Sequence, residues 1–135
     1  MGLPQMNTRQ PLLYGDLTQK VIGAAFDVHN SLGKGLNEKV YENALSVRLR
    51  DLGLSVEQQK ALPVYFDNHK VGEQIVDLVV DERVIVETKA VHRLLKNHEA
   101  QLLGYLKNTQ FQLGLLINFG SRVQFKRLIF TVQIK

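Results

Sequence analysis

Cysteine is absent from the 135-residue chain, which excludes disulfides, thiolate zinc sites, iron–sulfur clusters and cysteine nucleophiles. No apolar run approaches the roughly 20 residues that a membrane-spanning helix needs. The N-terminus lacks the apolar stretch of a secretory signal. Nor does Met1-Gly2 open a myristoylation signal, because Met6 stands where Ser or Thr is required. The four histidines, His29, His69, His92 and His98, include no i, i+4 pair, so a helical histidine zinc site is not expected. His29 is expected to cap or pack. No serine sits in a GxSxG elbow. Gly33-Lys34-Gly35 lacks the third glycine and the preceding strand of a dinucleotide loop.

What is present describes a globular chain. Hydrophobic residues make up 44% and charged residues 22%, a balance unlike that of disordered sequences. The length suits one domain. Lys and Arg number 17 against 13 Asp and Glu, for a net charge of +4. That excess permits a nucleic-acid partner without requiring one. The expectation is a soluble, cytoplasmic, single domain over residues 16–135. A loose leader over 1–15, with Pro4, Pro11 and Gly15, precedes it.

Helical spacing of Leu17, Val21, Ala24, Ala25, Val28 and Leu32 predicts a helix over 16–32, stopped by Gly33 and Gly35. Asn37 is a good N-cap for a second helix running to Gly53, with Leu36 and Tyr41 placed as a hydrophobic staple. Ser55–Lys60 and Val64–Phe66 read as short extended pieces on either side of Pro63. Asp67-Asn68-His69-Lys70 supplies a turn. Residues 73–80 and 83–90 read as the arms of a hairpin. Asn97 is expected to cap a third helix ending near Lys107. Leu113–Phe119 suits a strand buried on both faces, and Val123–Lys135 one or two final strands.

Chemistry concentrates around Asp77 and Glu87-Thr88-Lys89. Two apart in a strand, Glu87 and Lys89 share a face. Apolar neighbours surround Glu87 and Asp77, and a charge buried without a partner is costly. Asp77 joins Glu87 on one face if the hairpin loop is Asp81-Glu82-Arg83, or a two-residue turn plus a bulge. Two converging carboxylates offer the oxygen ligands that Mg²⁺ or Mn²⁺ prefers. A neighbouring lysine supplies fixed positive charge for phosphoryl chemistry. An ion pair at a strand end would leave the same short pattern. Glu38 shares the inward stripe of its helix with Tyr41 and Leu45. On the third helix Gln101 and Tyr105 are i, i+4 neighbours. Basic residues gather at Lys89, His92, Arg93 and Lys96, and again at Arg122, Lys126 and Arg127.

The ordered set Gly35-Leu36-Asn37-Glu38-Lys39-Val40-Tyr41, DLVVDERVIVETKA, HEAQLLGYLK and GLLINFG resembles the GxxExxY family, a branch of the PD-(D/E)XK nuclease superfamily. The resemblance covers roughly residues 17–130, with Val76 in place of the proline of the motif's name. It implies an α/β (α+β), restriction-endonuclease-like fold, with a mixed central sheet flanked by helices. It also implies that Asp77 and Glu87 are metal ligands, that Glu38 completes or orients the site, and that Lys89 is the catalytic lysine. Gln101 and Tyr105 match the QxxxY element of RecB-like nucleases, whose side chains shape the active site. The function so implied is Mg²⁺- or Mn²⁺-dependent hydrolysis of nucleic acid, with DNA as the leading substrate and Lys89, Arg93 and Lys96 as phosphate contacts. The alternative is a non-catalytic nucleic-acid-binding or protein-interaction module on the same fold; a structural domain with ion-paired acids is a third reading. So short a chain has little surface with which to grip a duplex, and a homodimer or a partner protein would enlarge it.

Overall fold

Two hydrophobic runs without polar alternation form the centre of the molecule. In the computed structural model, which describes residues 13–131, Leu113–Phe119 is strand β4 and is buried along its whole length. It pairs in parallel with β3 (Val84–Lys89), which is buried up to Thr88. Strands buried on both faces read in this way because neither face meets water. β1 (Val56–Phe66) and β2 (His69–Val80) extend the sheet antiparallel beyond β3, and β5 (Val123–Ile129) closes the other edge. The five strands lie in chain order.

Helices α1 (Gly15–Leu32) and α2 (Glu38–Asp51) cover one face of the sheet. Their buried residues, among them Val21, Ala24, Val28, Tyr41, Leu45 and Leu49, pack against Leu78, Val80, Val84, Val86, Leu115 and Ile117. Helix α3 (Lys96–Asn108) covers the opposite face, where Leu102 and Leu106 meet Val76, Val79, Ile85 and Leu116. The architecture is therefore helix, sheet, helix, with α3 as the crossover between parallel β3 and β4. Among the described residues, no helix is long and apolar enough to cross a membrane.

The expected stops and caps at the first two helices are in place. Gly33 and Gly35 both take positive φ, 76° and 97°, which glycine alone adopts without a Cβ clash. Asn37 Oδ1 accepts the Val40 N–H at 3.2 Å. Tyr41 ties the connection down through its hydroxyl, which donates to the Gly33 carbonyl at 2.6 Å and accepts the Leu36 N–H at 3.2 Å. Its ring lies flat on Phe119, with centroids 4.8 Å apart.

Two sequence expectations need adjustment. Pro63 does not divide the extended region: β1 is one strand, with Pro63 opposite Glu73. An edge strand has a side without a partner, where a missing N–H breaks no ladder bond. Helix α3 opens after Leu95 rather than at Asn97, because His98 Nδ1 accepts the Leu95 N–H at 3.0 Å. That is the reciprocal arm of a capping box, and it starts the helix early. Residues 1–12, most of the predicted leader, lie outside the described residues, as do 132–135.

The β1–β2 hairpin changes phase part-way along. Val79 faces α3, whereas Leu78 and Val80 face α1 and α2. Strict alternation would then put Val76 beside Leu78, yet Val76 packs on the α3 side. The register passes from Gln58↔Leu78 to Lys60↔Val76 and leaves the Gln59–Asp77 level unpaired. Gln59 has φ 51°. The irregularity lies beside the acidic cluster.

Candidate active site

The β2–β3 loop is Asp81-Glu82-Arg83, closed by Val80↔Val84, and the last ladder pair is Leu78↔Val86. Continuing that register sets Asp77 opposite Glu87. The strands part there, and side chains replace the ladder bonds. Glu87 Oε1 accepts the Asp77 N–H at 3.3 Å, while Asp77 Oδ2 accepts the Thr88 N–H at 2.8 Å and the Thr88 hydroxyl at 3.1 Å. The carboxylates thus meet near the C-terminal end of a strand in a parallel pair, the end at which open α/β sheets bind ligands.

Glu87 is 6% exposed. Burial, the Asp77 charge and a hydrogen bond with Asp77 push its carboxyl up to about 9, against smaller opposing effects of the Asp77 N–H and Lys89. Glu38, half-buried in the first turn of α2, is raised by burial foremost; Lys89 opposes the shift and Asp77 and Glu42 add to it. The Tyr105 hydroxyl on α3 is raised by desolvation and by the charges of Glu87 and Asp77, with a Gln101 hydrogen bond opposing. The structure therefore brings Glu38, Asp77, Glu87, Lys89 and Tyr105 within electrostatic reach of one another, with Gln101 alongside. An open cleft of about 600 Å³ borders this group, lined by Asn37, Glu38, Lys39, Glu42, Gln59 and Asp77. A hollow of about 470 Å³ between β1 and the end of α3 contains none of the acids.

Among the described residues, no three His, Asp or Glu side chains are arranged as a ready metal cage. The donor chemistry at Asp77 and Glu87 nonetheless suits a hard cation. A buried carboxylate held beside a second one ionises readily only with a neutralising charge, and the elevation of Glu87, by burial first and by Asp77 second, expresses that conflict.

The basic residues occupy different surroundings. Lys89 ends β3, half-buried, whereas Arg93 and Lys96 are exposed in the connection and the first turn of α3. In the second cluster Lys126 lies 3.9 Å from Glu99, and the Arg127 guanidinium donates to the Leu13 carbonyl. His29 packs, as expected, with Nε2 donating to the Gly120 carbonyl at 2.8 Å.

Four polar residues at the site were given no role from the sequence. Thr88 holds Asp77. Asn118, buried at the end of β4, clasps Val91 through both its amide oxygen and its amide nitrogen, each at 2.9 Å, and so fixes the segment after Lys89. Glu42 and Gln59 form a bridge to Asp77. A signal for Glu42 exists: it stands three and seven residues before Leu45 and Leu49, on the inward stripe of α2. Gln59 has no comparable signal, because its backbone departs from strand geometry.

A sequence profile of the PD-(D/E)XK nuclease superfamily matches residues 15–128. Among solved structures, one described as "Crystal structure of SSO0001" superposes with a TM-score of 0.57 at 16% identity. The match covers 89% of this chain and 61% of that one, and it shows a shared fold. None of the curated proteins matches the chain in sequence. A five-stranded sheet of mixed parallel and antiparallel pairing, helices on both faces and a profile match along most of the length agree, and the chain belongs to the PD-(D/E)XK nuclease superfamily.

Proposed function

We propose that this chain is a divalent-metal-dependent nuclease of the GxxExxY branch that hydrolyses phosphodiester bonds in DNA. The observation that carries the reading is the opposed Asp77–Glu87 pair, Glu87 buried and Asp77 half-buried, with Lys89 two residues further along β3. In this reading Asp77 and Glu87 would hold Mg²⁺ or Mn²⁺, and Glu38 would support them from α2. When bound, such a cation supplies Lewis-acid polarisation and charge neutralisation at the phosphoryl group. Lys89 is the fixed cation of the chain itself. Its ammonium orients the attacking water and stabilises the negative charge that builds on the pentavalent phosphoryl centre. Gln101 and Tyr105 order Lys89 or the phosphate from α3. Arg93 and Lys96 contact flanking phosphates, so binding weakens as salt rises.

The test is incubation of the protein with single- and double-stranded DNA and RNA, with and without Mg²⁺ or Mn²⁺, beside Glu87→Ala and Lys89→Ala. Metal-dependent cleavage of DNA is expected, falling by about 10²–10³-fold in Lys89→Ala, the loss typical of removing one transition-state stabiliser. Cleavage that survives both substitutions comes from a contaminant. Binding without cleavage by the unaltered chain replaces the nuclease reading with that of a non-catalytic module.

A further inference from the structure

Glu42 is 2% exposed and takes no part in the chemistry above. Its oxygens accept from Lys39 Nζ at 3.2 Å, from Gln58 Nε2 at 3.0 Å, and from Gln59 Nε2 at 3.0 and 3.2 Å. The same Gln59 nitrogen lies 3.3 Å from Asp77 Oδ1. A carboxamide nitrogen has two hydrogens, and here one serves Glu42 and the other Asp77. Rotating the amide by half a turn would set its oxygen against two carboxylates. The two anions therefore hold Gln59 one way round.

Gln59 reaches both partners because its backbone leaves the strand, at φ 51°. A left-handed conformation at a non-glycine residue persists only where its surroundings over-determine it. Consecutive Gln58 and Gln59 would point to opposite faces of a regular strand. Instead both bond Glu42. As a result each oxygen of Asp77 has its own donors: Oδ2 has Thr88 and Oδ1 has Gln59.

We propose that Glu42, on helix α2, and Gln59, on strand β1, are positioning residues that set the plane of the Asp77 carboxylate. The consequence for ion binding rests on the nuclease reading; the carboxylate geometry does not. Gln58 supplies an internal control, since it shares the Glu42 anchor and makes no hydrogen bond to Asp77.

The experiment pairs crystal structures of metal-free Gln59→Ala and Gln58→Ala with calorimetric titration of each by Mn²⁺. In Gln59→Ala the Asp77 carboxylate turns, and the Mn²⁺ dissociation constant rises about 10-fold, at the lower end of the range for groups that support metal ligands. Gln58→Ala leaves both unchanged. The near-isosteric Glu42→Gln shifts both in the same direction as Gln59→Ala, and it carries the comparison if Gln59→Ala fails to fold. An unmoved Asp77 in Gln59→Ala, or an equal change in Gln58→Ala, overturns the positioning role. If the unaltered protein takes up no Mn²⁺, the nuclease reading falls, and the carboxylate plane alone decides the role of Gln59.

Discussion

Replacing Glu87 with Gln should make the metal-free protein more resistant to alkaline pH, although it removes a residue assigned to the site. Burial and Asp77 raise the Glu87 carboxyl from the ordinary 4.5 to about 9. Below pH 4.5 the group is protonated in both the folded and the unfolded chain, and folding suffers no penalty. Between 4.5 and 9 the unfolded chain ionises there and the folded chain does not, so stability falls with rising pH. The slope is about 1.4 kcal/mol per pH unit. From pH 5.5 to 8.5 the loss reaches about 4 kcal/mol, or ~10–15 °C in melting temperature for a chain of this size. Gln keeps the shape of the protonated carboxyl and its acceptor for the Asp77 N–H, but it does not titrate. The assay is thermal unfolding of both proteins in chelator across that range. The difference between the two melting temperatures should widen steadily with pH in favour of the variant. Added Mn²⁺ should narrow it by restoring the unaltered protein. Parallel curves would refute the assignment of the buried, proton-holding carboxyl to Glu87.

Other outcomes follow from local geometry. Asn37→Ala removes the side-chain acceptor at the start of α2 and should cost about 1 kcal/mol in urea denaturation. At Gly120, a Cβ would stand 2.7 Å from the Val91 backbone oxygen. Gly120→Ala should therefore destabilise by about 1–3 kcal/mol, read as a lowered denaturation midpoint. Lys126→Ala should change stability by less than about 0.5 kcal/mol, because its 3.9 Å pairing with Glu99 is exposed to solvent; a larger loss by the same denaturation would mean that the pair is not independent.

Where one local rule acts alone, the sequence was legible. Leu113–Phe119 had to be a doubly buried strand, and Gly33 and Gly35 had to end a helix. Parity tied a shared face for Asp77 and Glu87 to either of two hairpin loops, and the three-residue loop is the one found. Legibility failed where a rule depends on distant neighbours. Pro63 breaks a central strand but not an edge strand, and edge status is a property of the whole sheet. Asn97 outranks Leu95 as a cap by residue type, yet His98 reaches back to the earlier N–H. Gln59 was hidden most deeply, because period-two reasoning assigns it the face opposite to Gln58. Only the left-handed turn of its backbone brings it to Glu42.

The phase change at the Gln59–Asp77 level makes the β1–β2 hairpin two ladders in series rather than one. The inner ladder, Val56–Gln58 with Leu78–Val80, is locked to β3. The outer ladder runs from Lys60↔Val76 to Phe66↔His69 and is closed by its own two-residue turn, Asp67-Asn68, with φ of 49° and 66°. Adding two cross-strand pairs of residues beyond Leu62 and Gln74 would keep Leu62 in the core and lengthen the arm by about 7 Å. It would leave the placement of Asp77 against Glu87 untouched. The reach of the hairpin and the alignment of the acids can thus vary separately, and a chain of this kind can change how far it extends over a partner without disturbing its carboxylates.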